Sequence, residues 1–239
     1  GIEEPEFDKI IEAIQTSPME NLKPKGEDEL LDALVGFLSG FDIIRNLITG
    51  RIEVDGEVIS DISFSKMMTS AWERVSMKIS DTMLRHMIHS KARPFNPVRD
   101  WFLSRANLKP KGEIVKLFSC IKYDMTIESV YVPSYLEVFV KKWLLSVVAS
   151  AFGTHSEMML VLTGSQGDNK TKFFRGLLPQ ELMPYYAESK LDEGKDSHTM
   201  MCEKLIIMDD EFGGKSKQEA KHFKDMISKS VFALRKPYG

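Results

Sequence analysis

The stretch Met158-Met159-Leu160-Val161-Leu162-Thr163-Gly164-Ser165-Gln166-Gly167-Asp168-Asn169-Lys170-Thr171 decides the fold expected for this chain. Its five apolar residues predict a buried β-strand, and a helical pattern follows Thr171. The polar segment between them has the spacing of the phosphate-binding loop G-x-x-x-x-G-K-[ST], except that Asn169 stands in place of the last glycine. A strand, a loop and a helix in this order predict a phosphate-loop domain of the α/β class.

Each part of this loop has a physical task at a nucleotide site. Backbone N–H groups of the loop surround an anionic phosphate. The lysine reaches the terminal phosphates, and the threonine hydroxyl ligates Mg²⁺. The spacing therefore predicts ATP and Mg²⁺ as cofactors, with nucleotide-binding residues Gly164, Ser165, Gln166, Gly167, Asp168, Asn169, Lys170 and Thr171. The alternative is an ordinary strand–turn–helix in which a Lys-Thr pair follows by chance.

The asparagine is the one departure from the loop pattern. Glycine is favoured where the backbone needs a positive φ or where a ligand approaches the main chain closely. Among the other residues, asparagine is one of the least penalised in the left-handed region. We therefore expect Asn169 to be conformationally mild, although its side chain adds bulk near the phosphates.

A second motif follows the loop along the chain. The apolar run Leu205-Ile206-Ile207-Met208 predicts a buried strand and ends in Asp209-Asp210-Glu211. Phosphate-loop ATPases hold Mg²⁺ through an aspartate at such a strand end, and a neighbouring carboxylate orients or deprotonates the attacking water. The run at 209–211 therefore predicts one aspartate that holds Mg²⁺ beside Thr171 and a neighbouring Glu or Asp that acts on the water. The alternative is a strand that turns polar where it reaches solvent.

The composition indicates a soluble, cytoplasmic chain without a membrane segment. The 239 residues suffice for one large domain or two small ones, and no run of eighteen apolar residues occurs. Residues 1–40 carry ten acidic and three basic side chains, so the remainder is mildly basic although the net charge is −3. This balance is compatible with nucleic acid but does not require it. Cys120 and Cys202 lack metal-site spacing, and we expect buried thiols.

Periodicity divides the rest of the chain into helices and a small β-meander. Strands are expected at 41–45, 51–54 and 58–59, joined by Thr49-Gly50 and Asp55-Gly56 turns. Residues 182–191 are expected to be irregular. Apolar residues at helical spacing predict helices at 5–17, 27–39, 63–76, 81–91 with Ser80 as N-cap, 97–103, 112–121, 133–152, 171–178, 196–203 and 218–228. We expect the apolar stripe of helix 133–152 to be ordinary core.

With these pieces in order, the chain resembles the virulence-associated protein E family, phosphate-loop ATPase domains of phage and mobile-element primase–helicases. The resemblance runs from about Phe41 to Gly239. It is carried by Thr49-Gly50-Arg51-Ile52-Glu53-Val54, Phe95-Asn96-Pro97-Val98-Arg99-Asp100-Trp101-Phe102, Lys142-Trp143-Leu144, the phosphate loop, the acidic strand, and Arg235-Lys236-Pro237-Tyr238-Gly239. The Asn-Pro-Val-Arg-Asp and Lys-Pro-Tyr-Gly segments are more specific than the loop.

The resemblance implies a fold, an activity and partners. Composition and periodicity predict an acidic helical lead-in or linker at 1–40 and a small β-meander and helical domain at 41–130. The resemblance implies an ATPase core at 131–239 that stops before the sensor strand of related ATPases. The related proteins are similar to superfamily 3 helicases, which use ATP to move single-stranded or forked DNA. It further implies a homo-oligomeric ring and a primase domain or protein as partner. By the same resemblance, Asp209 and Asp210 are metal partners, and Glu211 and Asp210 are catalytic residues. Separately, we expect Lys215, Lys217 and Arg235 as DNA contacts.

Two other functions remain open from the sequence. One is a nucleic-acid-binding or assembly module with a degenerate, inactive nucleotide site, in which Arg93, Arg99 and Arg105 or the Lys215–Lys217 turn contact phosphates. The other is a small-molecule kinase, because phosphate loops also serve phosphoryl transfer. The acidic strand and the helical amino-terminal region argue against the kinase.

Overall fold

The computed structural model describes residues 26–75, 78–122, 132–156, 158–191 and 195–209, together with residues 221, 224–225 and 228. The chain divides into two compact units, residues 1–96 and residues 97–239. Each unit is described by itself below. The division falls between Asn96 and Pro97, whereas the expected boundaries lie after residues 40 and 130. That three-part organisation stays a prediction.

The described part of the first unit consists of one four-stranded sheet and three helices. In chain order they are α1 (Glu27–Leu38), β1 (Ile43–Asn46), β2 (Ile52–Val54), β3 (Glu57–Val58), α2 (Asp61–Val75), α3 (Asp81–Lys91) and β4 (Arg93–Phe95). The sheet order is β3-β2-β1-β4. The first three strands form an antiparallel meander, as predicted, and β4 joins β1 in parallel. Ile43 lies opposite Val54, and Ile44 lies opposite Arg93.

Tight turns set the register of this meander. Asp55 and Gly56 both have positive φ, 52° and 88°, which is the signature of a type I′ hairpin turn. Between β1 and β2 the chain turns through residues 47–50, and Gly50 has a φ of 71°. Asn46 organises that turn, because its buried side-chain Oδ1 accepts hydrogen bonds from the N–H groups of Ile48 and Thr49.

The core of the first unit lies between the sheet and the three helices. Apolar residues recur at three- and four-residue intervals along each helix, so one face of each is buried. Ser80 caps α3, since its Oγ accepts a hydrogen bond from the N–H of Met83 at 3.2 Å, which confirms the predicted cap. The core residues include Leu30, Leu34, Phe37, Leu38, Ile43, Ile52, Val54, Phe64, Met67, Met68, Ala71, Val75, Leu84 and Ile88.

The described part of the second unit contains helices and a two-stranded parallel sheet. Its elements are α4 (Pro97–Ser104), α5 (Glu113–Ser119), α6 (Val132–Ala151), α7 (Lys170–Arg175), a 3₁₀ helix (Gln180–Tyr185), β5 (Tyr186–Glu188), α8 (Lys195–Glu203) and β6 (Ile206–Met208). Tyr186 lies opposite Ile206, and Glu188 lies opposite Met208. Together the units form a mixed α/β structure in which helices predominate, as expected. Among the described residues, no helix has the length and apolarity needed to span a membrane.

Three expectations for the second unit are wrong. Residues 182–191 are not irregular, because they contain the end of the 3₁₀ helix and all of β5. The helix after the phosphate loop ends at Arg175 and not near Leu178, since Gly176 follows as its C-cap. Residues 158–162 pair with no described strand, and Met158, Met159 and Val161 are exposed. The buried strand predicted at 158–162 is therefore absent from the described part of the structure.

The surface of the second unit brings two further corrections. Phe139 of α6 is 57% exposed although it belongs to the predicted core stripe, because the described neighbours bury the helix at Val140 and Trp143 instead. Cys120 and Cys202 are both unbridged and exposed, so the prediction of buried thiols is wrong. Although the residue is exposed, partial desolvation of its sulfur and the nearby Glu203 raise the pKa of the Cys202 thiol above its ordinary value. The predicted helix at 5–17 lies outside the described residues.

Candidate phosphate-loop site

The loop before α7 carries three residues with positive φ within six positions. Gly164 has a φ of 151°, Gly167 of 96° and Asn169 of 58°. Asn169 has a ψ of 24°, and it therefore adopts the left-handed conformation in which glycine is free of strain. Asparagine is among the residues that tolerate this region best. The substitution in the motif is thus accommodated by the backbone.

Gly164 is the loop glycine at which an added Cβ would meet another side chain. A Cβ built there would lie 2.5 Å from Oδ2 of Asp168. Asp168 also donates its backbone N–H to the carbonyl of Ser165 at 3.3 Å, so the loop turns back on its own beginning. The positive φ therefore favours glycine at this position, whereas the Asp168 carboxylate lies at the end of a flexible side chain and can shift.

Lys170 stands at the first position of α7 and closes the loop. Its ammonium donates to the carbonyl oxygens of Gly164, at 2.9 Å, and Ser165, at 2.8 Å. The loop thereby curves around the ammonium group. Lys170 and Thr171 are half-buried, whereas residues 163–169 are exposed. The positive charge therefore lies within a solvent-exposed backbone turn.

An ion pair joins the end of α7 to the end of β5. The Nε of Arg175 donates to Oε1 of Glu188 at 2.9 Å, and its Nη2 donates to Oε2 at 2.8 Å. Tyr186 adds a hydroxyl hydrogen bond to the same carboxylate at 3.0 Å. The hydrogen bond from Arg175 holds the pKa of Glu188 below its ordinary value, and Glu188 in turn raises the pKa of Arg175. The site reasoning from sequence missed this pair, because a three-residue strand gives little signal.

The structure describes the acidic segment after β6 as far as Asp209. This residue follows β6 directly, and its Oδ2 accepts a hydrogen bond from the backbone N–H of Leu191 at 3.3 Å. The N–H of Ser189 also bonds to the carbonyl of Met208 at 3.0 Å. Asp209 therefore ties the segment after β5 to the end of β6, in addition to any metal role. Outside the described residues lie Asp210, Glu211, Lys215, Lys217 and Arg235.

Aromatic side chains pack against one another at α7. Phe174 makes edge-to-face contacts with Trp143 of α6, at a centroid distance of 6.2 Å, and with Phe173, at 5.4 Å. Such pairs add about 0.5–1.5 kcal/mol to the burial of the rings. They orient the short helix that carries Lys170 and Thr171.

The arginines left open as DNA contacts each lie beside a carboxylate. The pairs, with their N–O distances, are Arg93 with Asp42 at 3.4 Å, Arg99 with Asp100 at 3.2 Å and Arg105 with Glu181 at 3.3 Å. The guanidinium of Arg105 also stacks 4.0 Å from the ring centroid of Trp101. These ion pairs are largely exposed and do not decide whether the arginines contact DNA. Within the described ranges, no group of three or more His, Cys, Asp or Glu side chains could hold a metal ion.

The family comparison covers the half of the chain that contains this loop. The model of the virulence-associated protein E-like domain matches residues 121–239. Residues 121–239 are a virulence-associated protein E-like domain. The domain includes the candidate phosphate loop, α7, β5 and β6, and it points to a protein associated with phages or mobile elements. The resemblance of residues 41–120 stays a prediction. No curated protein matches the chain.

Proposed function

We propose that this chain is the ATP-binding module of a DNA helicase or primase–helicase from a phage or mobile element. In this proposal it hydrolyses ATP with Mg²⁺ to act on single-stranded DNA. One observation carries the proposal: the loop turns around the ammonium of Lys170 with positive φ at Gly164, Gly167 and Asn169. That backbone shape fits a phosphate-binding loop. The family match to residues 121–239 supports the phage or mobile-element context.

The residues of the loop fit a triphosphate by their chemistry. Lys170 would bind the terminal phosphates as a point charge, and backbone N–H groups of the loop would donate to phosphate oxygens. Thr171, Asp209 and Asp210 would hold Mg²⁺, which neutralises phosphate charge when bound. Glu211, or Asp210 in its place, would accept a proton from the attacking water. DNA, an oligomeric ring and a primase partner belong to the same proposal.

The first prediction tests the loop itself. Because Lys170 supplies a charged hydrogen-bond donor to the phosphates, Lys170→Ala should weaken Mg-ATP binding about 10- to 100-fold, and further if the loop rearranges. Lys172→Ala is the matched control, since this exposed lysine lies in the same helix two residues away. Isothermal titration calorimetry measures both. Equal Mg-ATP affinity in the wild type and Lys170→Ala would contradict the nucleotide site.

The inactive-site alternative makes a different prediction for DNA. An assembly module would bind single-stranded DNA with a steep salt dependence and with equal affinity whether or not ATP is present. The left-handed conformation of Asn169 argues against a degenerate loop, because the backbone there keeps the conformation that glycine adopts in the motif. Fluorescence anisotropy with labelled single-stranded DNA, at two salt concentrations and with or without Mg-ATP, separates the two functions.

A further inference from the structure

The phosphate loop and the end of β6 are connected by one continuous set of contacts. Lys170 and Arg175 are the first and last residues of α7, so this single helix connects the loop to the Arg175–Glu188 pair. Glu188 is the last residue of β5 and lies opposite Met208 in the parallel register. Asp209 follows at once. The ion pair is thus a side-chain contact, among the described residues, that links the loop-bearing helix to the strand pair whose end is acidic.

The geometry of the pair favours positioning over stability. Arg175 and Glu188 are 54% and 36% exposed, and exposed ion pairs contribute little to the free energy of unfolding. Two parallel N–H···O bonds nevertheless fix both the distance and the orientation of the two groups. The third bond, from the Tyr186 hydroxyl, holds the carboxylate in place.

We propose that Arg175 and Glu188 are positioning residues, which hold the phosphate loop at a fixed distance from the acidic end of β6. The inference rests on the proposed nucleotide site. Phosphoryl transfer depends on the placement of the phosphate relative to the groups that hold the metal and the water, and misplacement by about 1 Å costs roughly 100-fold in rate. Neither residue contacts the nucleotide in this proposal. Both act through α7 and β5.

The test uses charge reversal and its rescue in the full chain. Arg175→Glu and Glu188→Arg each break the pair, the double variant restores it with reversed polarity, and Glu188→Gln keeps the shape of the side chain without its charge. Lys141→Glu is the matched control, because Lys141 forms an exposed ion pair with Glu137 on α6 in the same unit. Circular dichroism verifies that each variant is folded.

Hydrogen exchange followed by mass spectrometry gives a result without any nucleotide. Each single reversal should increase exchange in peptides covering 164–177 and 186–191, where the amides of Phe173 and Gly176 are hydrogen-bonded, and the double variant should restore it, whereas Lys141→Glu leaves these peptides unchanged. With Mg-ATP, the single reversals should lower kcat about tenfold or more while the Kd stays within about threefold. Unchanged exchange in both single reversals, or no restoration in the double variant, overturns the positioning role.

The same measurements separate this inference from the proposed function. If the wild type does not bind Mg-ATP, the nucleotide site is wrong and positioning for catalysis is wrong with it, while the exchange data still show whether the pair couples the loop to β5. If the wild type binds Mg-ATP and the reversals lower affinity and kcat in equal proportion, the pair shapes the loop alone. That result contradicts a role in placing the loop against β6.

Discussion

At the scale of single residues, the conformation of Asn169 matters most for the loop. Its φ of 58° lies in the left-handed region, where a β-branched side chain is strained. We predict that Asn169→Gly changes the free energy of unfolding by less than about 1 kcal/mol, whereas Asn169→Val destabilises by about 1–2 kcal/mol. Urea denaturation of the two variants measures this. Equal stability of the Val and Gly variants would show that the left-handed conformation is absent in solution.

The same residue shows how far sequence reasoning reaches into the site. The tolerance of asparagine for positive φ sufficed to predict that Asn169 fits the left-handed backbone conformation. The contact of Arg175 with Glu188 could not be predicted, because it depends on where β5 lies relative to α7. The hydrogen bond between Asp209 and Leu191 could not be predicted for the same reason, since it joins residues that lie before and after α8 in the chain.

Glu188 gives a prediction that depends on pH. Its pKa in the folded protein is held below the ordinary value of 4.5 by the hydrogen bond from Arg175. The ionised carboxylate therefore stabilises the fold above about pH 4.5, and this contribution is lost as the pH falls through the lower folded pKa. Because the pair is exposed, the difference in Tm between the wild type and Glu188→Gln should be small at pH 7 and should narrow below pH 4.5. A difference that stays constant down to pH 3 would contradict the assigned pair.

At the scale of secondary-structure elements, the capping of α3 has a measurable value. The Oγ of Ser80 accepts the N–H of Met83, which has no partner inside the helix. We predict that Ser80→Ala lowers the free energy of unfolding by about 1 kcal/mol. Ser90→Ala is the control, because this exposed serine lies within the same helix, where alanine is favoured. Equal loss in both variants, by urea denaturation, would show that the cap contributes nothing.

Elements with a strong local signal were the ones that the sequence predicted. The helices of the first unit follow from apolar spacing, and the turn at Asp55-Gly56 follows from its need for positive φ. β5 has only three residues and is stabilised by pairing with β6, so no local pattern marks it. The exposure of Phe139 was missed for a related reason: periodicity identifies an apolar face but does not show what covers it.

At the scale of the whole molecule, the two compact units should respond separately to a core substitution. Leu34 is fully buried in the core of the first unit. Leu34→Ala should destabilise that unit by about 2–5 kcal/mol through lost burial and a cavity. Hydrogen exchange should then accelerate within residues 27–95, while residues 97–209 keep their wild-type exchange. Equal acceleration in both ranges would show that the units unfold as one.

The parallel pairing of β4 with β1 also has a consequence for how the first unit forms in time. β1, β2 and β3 are joined by tight turns, so their contacts close within a few residues. β4 pairs only after the chain has passed through α2 and α3, and closing that long loop costs more entropy. During synthesis, the outer edge of β1 is therefore made before its partner exists. Until then, this edge is an open strand on which another nascent chain can pair.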